Sequence, residues 1–350
     1  MHGLSALEQI AENRVLSGWL RVFSREPDQL NGPHQADAEL VPIPGTHQLL
    51  AITVDTLAEE IELGFYPDPE TMGWMSATAS LSDLAAVGAR PIGMLLSATL
   101  PAKEDASYQH WIARGFEAAC IQAKTHVLGG DTNWGPQARL TSVAVGLVSP
   151  GGLLMRTGCG PGDLVYTSGR LGAGGPVAVR ALFPALDHPT ARPFRTQARI
   201  AASRVLPGFA TACMDTSDGL VATLDQLGRL NGVGFEITKP LTEFLDPEAE
   251  ALSHRVGVDP LLMLAQPHGE FELVFTVPSD ERERFEAHAV SSGLYPLQIG
   301  QVIRDRVPRS THPTPRDVDA AGIRNLLANT NSDPEKCLAE LIRLVERPVP

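Results

Sequence analysis

The 350-residue chain is 43% hydrophobic, has a net charge of −13 and carries only four lysines and four cysteines. The length suits about two domains. Acidity on that scale disfavours nucleic acid and anionic membrane surfaces as partners, and no apolar run approaches the ~18 residues of a membrane span. Cys120, Cys159, Cys213 and Cys337 are far apart and form no CxxC pair. That spacing disfavours a disulfide framework or zinc site and suits a reducing cytoplasm.

In chain order, residues 4–25 read as an amphipathic helix, without the basic and then apolar pattern of a signal peptide. After a Pro- and Gly-containing stretch, "HQLLAITVD" (47–55) predicts a strand. Residues 69–89 predict a long helix closed by Gly88, where a C-terminal glycine is expected. Strand 91–101, helix 105–124, a short strand with a glycine turn at "THVLGGD" (125–131) and a strand from 139 follow. "SPGG" (149–152) marks a boundary. Beyond it come strand 160–169, helices at 174–183 and 197–206, and a strand, turn and helix over 209–230. Strands at 233–238 and 269–278, a charged helix at 279–290 and a last helix at 334–346 complete the pattern. Strands and helices mix throughout, so the expected class is α/β or α+β. The expected units are an N-terminal helical extension (1–34), two domains (35–152 and 153–310) and a helical tail (311–350).

Aspartates recur where apolar segments end. Asp55 follows "LLAITV", Asp131 follows "VLGG", and Asp215 and Asp218 lie in "MDTSDGL"; Asp37 precedes the first strand and Asp83 sits inside the helix 69–89. Any one of them suits a helix N-cap or a turn. As a set they could converge, and hard oxygen donors of this kind suit Mg²⁺ shared with substrate phosphates. No "GK" occurs, so there is no P-loop, and protein-kinase signatures are absent. With so little lysine, a nucleotide triphosphate would have to be neutralised by metal ions and arginine. Gly129 and Gly130 in "LGGDTN" offer backbone N–H groups on a glycine turn as a phosphate cradle. "SGRLGAGGPVAV" (168–179) misses the GxGxxG register and reads as a structural glycine turn or a loop flanking substrate. Asp187 lies near the spacing of a ribose acid but not at a strand end. The histidines, His34 and His268 among them, show no HxxH or HExxH spacing and read as surface or satisfied core positions. No GxSxG elbow is present.

Five segments in order, "VDTLAEEIEL", "SLSDLAAVGARP", "LGGDTNWGP", "RTGCGPGDLVYTSGRLG" and "MDTSDGL", resemble thiamine-monophosphate kinase, a member of the AIR synthase (PurM)-like superfamily. The resemblance runs from about Asp37 to about Ile303. It implies a two-domain fold whose N-terminal domains pair into a β-barrel across a homodimer, with ATP and several Mg²⁺ ions in the cleft between domains. It implies metal positions at Asp37, Thr53, Asp55, Asp83, Asp131, Asp215 and Asp218, with Asp215 and Asp218 as the candidate catalytic pair. Nucleotide contacts fall on Gly129, Gly130, Asp131, Arg156 and Ser217. Asp83 then reads as a metal-bridging carboxylate.

The departures lie on the acceptor side. "GDD" before the first strand becomes "QADAE", keeping only Asp37. The family's Thr before the strand-end Asp is Val54, with Thr53 adjacent. A His that holds thiamine phosphate is Glu62, and a Lys and an Asn become Met75 and Ser80. "GGEDYEL" becomes "PHGEFEL", which puts Gly269 at the substrate-binding Glu and Glu270 at the Asp; Glu62 and Glu270 are therefore the candidate substrate-binding residues. The aromatic C-terminal wall has no counterpart. The expected function is Mg²⁺-dependent transfer of the ATP γ-phosphoryl group to a small-molecule acceptor. The alternatives are a paralogue that activates another oxygen, amide or selenium nucleophile, or a nucleotide-binding protein without turnover.

Overall fold

The computed structural model describes residues 5–183, 194–306, 308–312, 315–330 and 333–346. A five-stranded sheet forms from β1 (Glu39–Pro42), β2 (Leu49–Leu57), β3 (Arg90–Pro101), β4 (Val127–Gly135) and β5 (Arg139–Val148), in the order β1-β2-β5-β3-β4. Helix α1 (Ala11–Leu20) precedes it; α2 (Glu59–Glu62), α3 (Pro69–Ala86) and α4 (Ala106–Gln122) are inserted between its strands. A seven-stranded sheet follows, with β6 (Leu164–Thr167), β7 (Ala212–Asp215), β8 (Gly234–Ile237), β9 (Leu273–Val277), β10 (Leu297–Ile303), β11 (Arg309–Ser310) and β12 (Arg316–Asp317) in the order β12-β11-β8-β10-β6-β9-β7. Its helices are α5 (Gly174–Leu182), α6 (Ile200–Ser203), α7 (Leu220–Asn231), α8 (Pro247–Val256), α9 (Arg282–Ser291), α10 (Ala320–Arg324), α11 (Leu326–Thr330) and α12 (Pro334–Glu346). The class is mixed α/β.

Helix α3 joins the two halves. Asp68 caps it, accepting from the Thr71 N–H at 2.8 Å, and Pro69 starts it. Its interior is rich in Ala and Ser and is buried on almost every side, because it packs against β2 and β5 of one sheet and β7 of the other. Small residues allow close approach. A Cβ on Gly73 would lie 1.9 Å from the Ile112 carbonyl, and one on Gly115 would lie 1.8 Å from that of Glu70. The α3–α4 crossing therefore requires glycine on both helices. One core cluster takes Leu84 and Phe116 from the first half and Leu273 and Phe275 from the second.

Several expectations need correction. The helix over 4–25 is broken at Ile10, which is extended and 1% exposed, leaving a short 3₁₀ turn before α1. The helix over 197–206 shrinks to α6. The strand over 269–278 begins only at Leu273, because Phe271 holds a left-handed φ of 62°. "LGGD" is not a glycine turn: it is extended within β4, hydrogen-bonded parallel to β3. Within the one chain the first sheet is open among the described residues, with β1 and β4 at its edges. The C-terminal helices pack onto the second half, and Ile323, Leu326, Leu341 and Leu344 belong to the core. Asp187 lies outside the described residues. Among the described residues no helix is long and apolar enough to cross a membrane.

Candidate active site

Strand ends and α3 deliver carboxylates to one cleft of about 860 Å³ between the two sheets. Asp55 and Thr53 share one face of β2, two residues apart. Asp83 comes from the buried length of α3, and the Thr53 hydroxyl donates to its Oδ2 at 2.5 Å. Asp37 comes from the loop before β1, where Arg156 donates to its Oδ1 at 2.8 Å. Asp215 ends β7, and the Ser217 hydroxyl donates to its Oδ1 at 2.9 Å. One oxygen each from Asp37, Asp83 and Asp215 lies within 4.8 Å of the others. Asp218 stands beside them, accessible from the cleft but walled in by protein.

The arrangement leaves oxygens over. Asp37 Oδ2, Asp55 Oδ2 and Asp215 Oδ2 are buried without a hydrogen-bond partner in the protein, which is costly unless something positive meets them. Burial, followed by the charges of Asp55, Asp215 and Asp37, holds the Asp83 carboxyl well above the usual range. Burial and the nearby Asp37 charge push Asp215 up to about 7. Burial raises Asp55, and burial with the charge of Glu12 raises Asp218 to about 6. Carboxylates this close cannot all ionise without a cation among them. The donor set of hard, orphaned oxygens fits Mg²⁺.

Not every expected residue reaches this cluster. Arg156 and Ser217 line the cleft. Gly129, Gly130 and Asp131 are exposed on β4 and do not line it. Asp131 pairs in register with Ser97, which pairs with Thr141, which pairs with Thr56. Three strand spacings therefore separate it from β2, about 14 Å, and it accepts from the Asn133 side chain at 3.1 Å. Gly130 is required by β3, since a Cβ there would lie 2.1 Å from the Leu96 carbonyl. Glu62 faces solvent, and its neighbour Glu60 lines the cleft instead. Glu270 is buried, accepting from the Gly172 N–H at 2.6 Å and the Thr216 hydroxyl at 2.8 Å, and burial raises it to about 7. It ties the glycine-rich turn before α5 to the Asp215 loop. Gly269 packs so tightly on that loop that a Cβ would lie 1.5 Å from the Thr216 carbonyl.

Sequence reasoning missed His268. It is 5% exposed, lines the cleft, and sits among Phe65, Tyr66 and Phe194, with Tyr66 Oη 3.5 Å from its Nε2. Burial holds its imidazole down to about 4, so it is neutral. No metal-type spacing could flag it. Trp19 and Phe23 near α1 and Phe271 also line the cleft and were not singled out.

Residues 35–148 match the family described as AIR synthase related protein, N-terminal domain. The thiamine-monophosphate kinase of Halobacterium salinarum is 33% identical over 238 residues, 68% of this chain and 79% of that protein. The Escherichia coli K12 enzyme is 32% identical over 279 residues, 77% of this chain and 83% of that one. The chain belongs to the thiamine-monophosphate kinase family. It is an ATP-dependent phosphotransferase of that type. The solved structure of AaThiL complexed with AMPPCP and TMP shares its fold, with a TM-score of 0.70 at 23% identity over 91% of this chain and 99% of that one.

Proposed function

We propose that the chain transfers the γ-phosphoryl group of ATP to a small-molecule acceptor, with Mg²⁺ held by Asp37, Asp55, Asp83 and Asp215 and with Asp218 at the rim. The observation that carries this reading is the set of orphaned carboxylate oxygens facing one cleft. Asp37 and Asp215 are each anchored by one oxygen and spare at the other: Arg156 fixes Asp37, and Ser217 fixes Asp215. Thr53 orients Asp83. Holding ligands in place before the substrate arrives is the main contribution a protein makes to phosphoryl transfer. When bound there, Mg²⁺ would supply positive charge to offset the negative charge that develops as the bond breaks. Thr53, Ser217 and Arg156 keep the donor oxygens aimed. Trp19 and Phe23 line the same cleft.

Thiamine monophosphate, the acceptor for which the relatives are named, is the first to test. Asp83→Asn should abolish Mg²⁺-dependent binding of a non-hydrolysable ATP analogue while leaving the circular dichroism spectrum unchanged. Undiminished calorimetric affinity in that variant would remove the metal assignment. The reading extends to assembly. β4 is an open edge carrying exposed Leu128 and Trp134, and pairing of such edges across a two-fold axis would cover them. Gly129, Gly130 and Asp131 would then lie at a dimer interface. The expected boundary after residue 152 falls between the two sheets, whereas one at 310 separates β11 from β12 within the second, and the free cysteines fit a reducing cytoplasm.

A further inference from the structure

His268 lies in the loop before β9, and its backbone is fastened to the loop that carries Asp215. The Gly269 N–H donates to the Ser217 carbonyl at 2.7 Å, and the Ser217 hydroxyl donates in turn to Asp215 at 2.9 Å. On the other side the His268 carbonyl packs on Gly174, where a Cβ would lie 1.8 Å from it. The ring is held as firmly. Phe65, Phe194 and Tyr66 surround it, with ring centroids 4.9, 5.3 and 5.7 Å away. Its two nitrogens are the polar part of an otherwise aromatic cluster.

The tautomer follows from Tyr66. That residue is 1% exposed, and burial keeps its proton on. Its hydroxyl faces His268 Nε2 at 3.5 Å. A hydroxyl donating there makes Nε2 the acceptor, and a neutral imidazole then carries its single proton on Nδ1. Nδ1 meets no acceptor among the described residues, yet it is not sealed from solvent as the spare oxygens of Asp37, Asp55 and Asp215 are. His268 lines the carboxylate cleft and a small apolar recess beside it, and the cleft is where the reacting groups must meet. Other donors on the cleft wall are already engaged: Thr53 by Asp83, Thr56 by Thr141, Asn13 by Gln226 and Arg156 by Asp37. A buried N–H left over in a substrate cleft is unfavourable until an acceptor on the substrate meets it. In an aromatic surround of low dielectric, its bond to an ionised oxygen is strengthened.

We propose that His268 is a specificity-determining residue for the acceptor: its Nδ1–H donates to one oxygen of a phosphoryl group that the acceptor already carries, and so aims a second oxygen of that group at the γ-phosphorus. In the transfer, the second oxygen forms the new P–O bond, the bond from the γ-phosphorus to the β–γ bridging oxygen breaks, and ADP leaves with that oxygen and the electron pair. His268 keeps its proton throughout. This inference rests on the phosphotransferase reading above.

The test uses the full chain with Mg²⁺ and a non-hydrolysable ATP analogue, and compares thiamine monophosphate with thiamine by calorimetry. The two probes share their rings and differ by one phosphoryl group. Thiamine monophosphate should bind the wild-type complex at least about tenfold more tightly, which is about 1.4 kcal/mol. His268→Phe keeps an aromatic ring and removes the N–H. It should weaken thiamine monophosphate by about tenfold and leave thiamine and the ATP analogue unchanged. His268→Asn, which keeps an N–H near the Nδ1 position, should retain the preference for the phosphorylated probe. An unchanged affinity for thiamine monophosphate in His268→Phe overturns the proposal. So does an equal loss for both probes, which marks a purely structural role. The wild-type comparison stands whatever the variants do: thiamine bound as tightly as its monophosphate, or neither bound, overturns the proposal while the nucleotide reading holds. Failure of the analogue to bind with Mg²⁺ overturns both.

Discussion

At the scale of single residues, the cleft is a store of unfavourable burial. Asp215 and Glu270 both sit near 7, and in each case burial is the first cause. A carboxyl whose folded pKa is raised binds protons more tightly folded than unfolded. The contribution of these two carboxyls to the stability of metal-free protein should therefore be greatest near pH 4 and below, and should be lost as pH rises to about 7. Each unit of separation between folded and unfolded values is worth about 1.4 kcal/mol. Mg²⁺ should reverse the trend at the metal-facing acids, raising the melting temperature more at pH 8 than at pH 5. Differential scanning calorimetry at both values checks this, and an equal Mg²⁺ shift at the two would contradict it. Gly269 shows why reading residues along an ungapped alignment fell short. The position looks like a lost carboxylate, yet the backbone lies against the Thr216 carbonyl and has no room for any side chain. Glu62 misled in the same way: helix rotation turns it to solvent and turns Glu60 inward.

Among the elements, α3 decides the most. Its apolar and small residues were legible as a helix with a glycine stop, and the observed bounds Pro69–Ala86 match that pattern closely. What the local sequence did not show is that the helix is sandwiched between two sheets, which is why Asp83 is buried rather than solvated. Its contact with α4 depends on Gly73 and Gly115. Gly115→Ala should force the helices apart and cost about 1–3 kcal/mol, the usual range for overpacking. Urea unfolding should show the midpoint lowered with the slope unchanged; an unshifted midpoint would mean the crossing tolerates a methyl group. β4 is the counter-example. Two adjacent glycines read locally as a turn, but parallel pairing with β3 draws them straight, and Gly130 allows close strand packing.

For the whole molecule, the open edge at β4 carries the prediction about assembly. Trp134 is 68% exposed there. Sedimentation at micromolar concentration should give a dimer mass, and Trp134→Lys should shift it towards monomer without lowering the melting temperature. A monomeric wild-type protein would remove the proposed interface. The sequence alone determined the class of the chain, its element order and the acids that end its strands. Those follow from local periodicity, turn chemistry and ordered motifs, all written within short windows. Only the tertiary structure decided which acids meet. Asp37, Asp83 and Asp215 converge because a loop, a buried helix and a strand from different halves of the chain pack together, while Asp131 remains three strands away. It also decided that His268, silent in the sequence, lines the carboxylate cleft. Long-range packing sets distances between segments far apart in the chain, and short-range patterns carry no information about them.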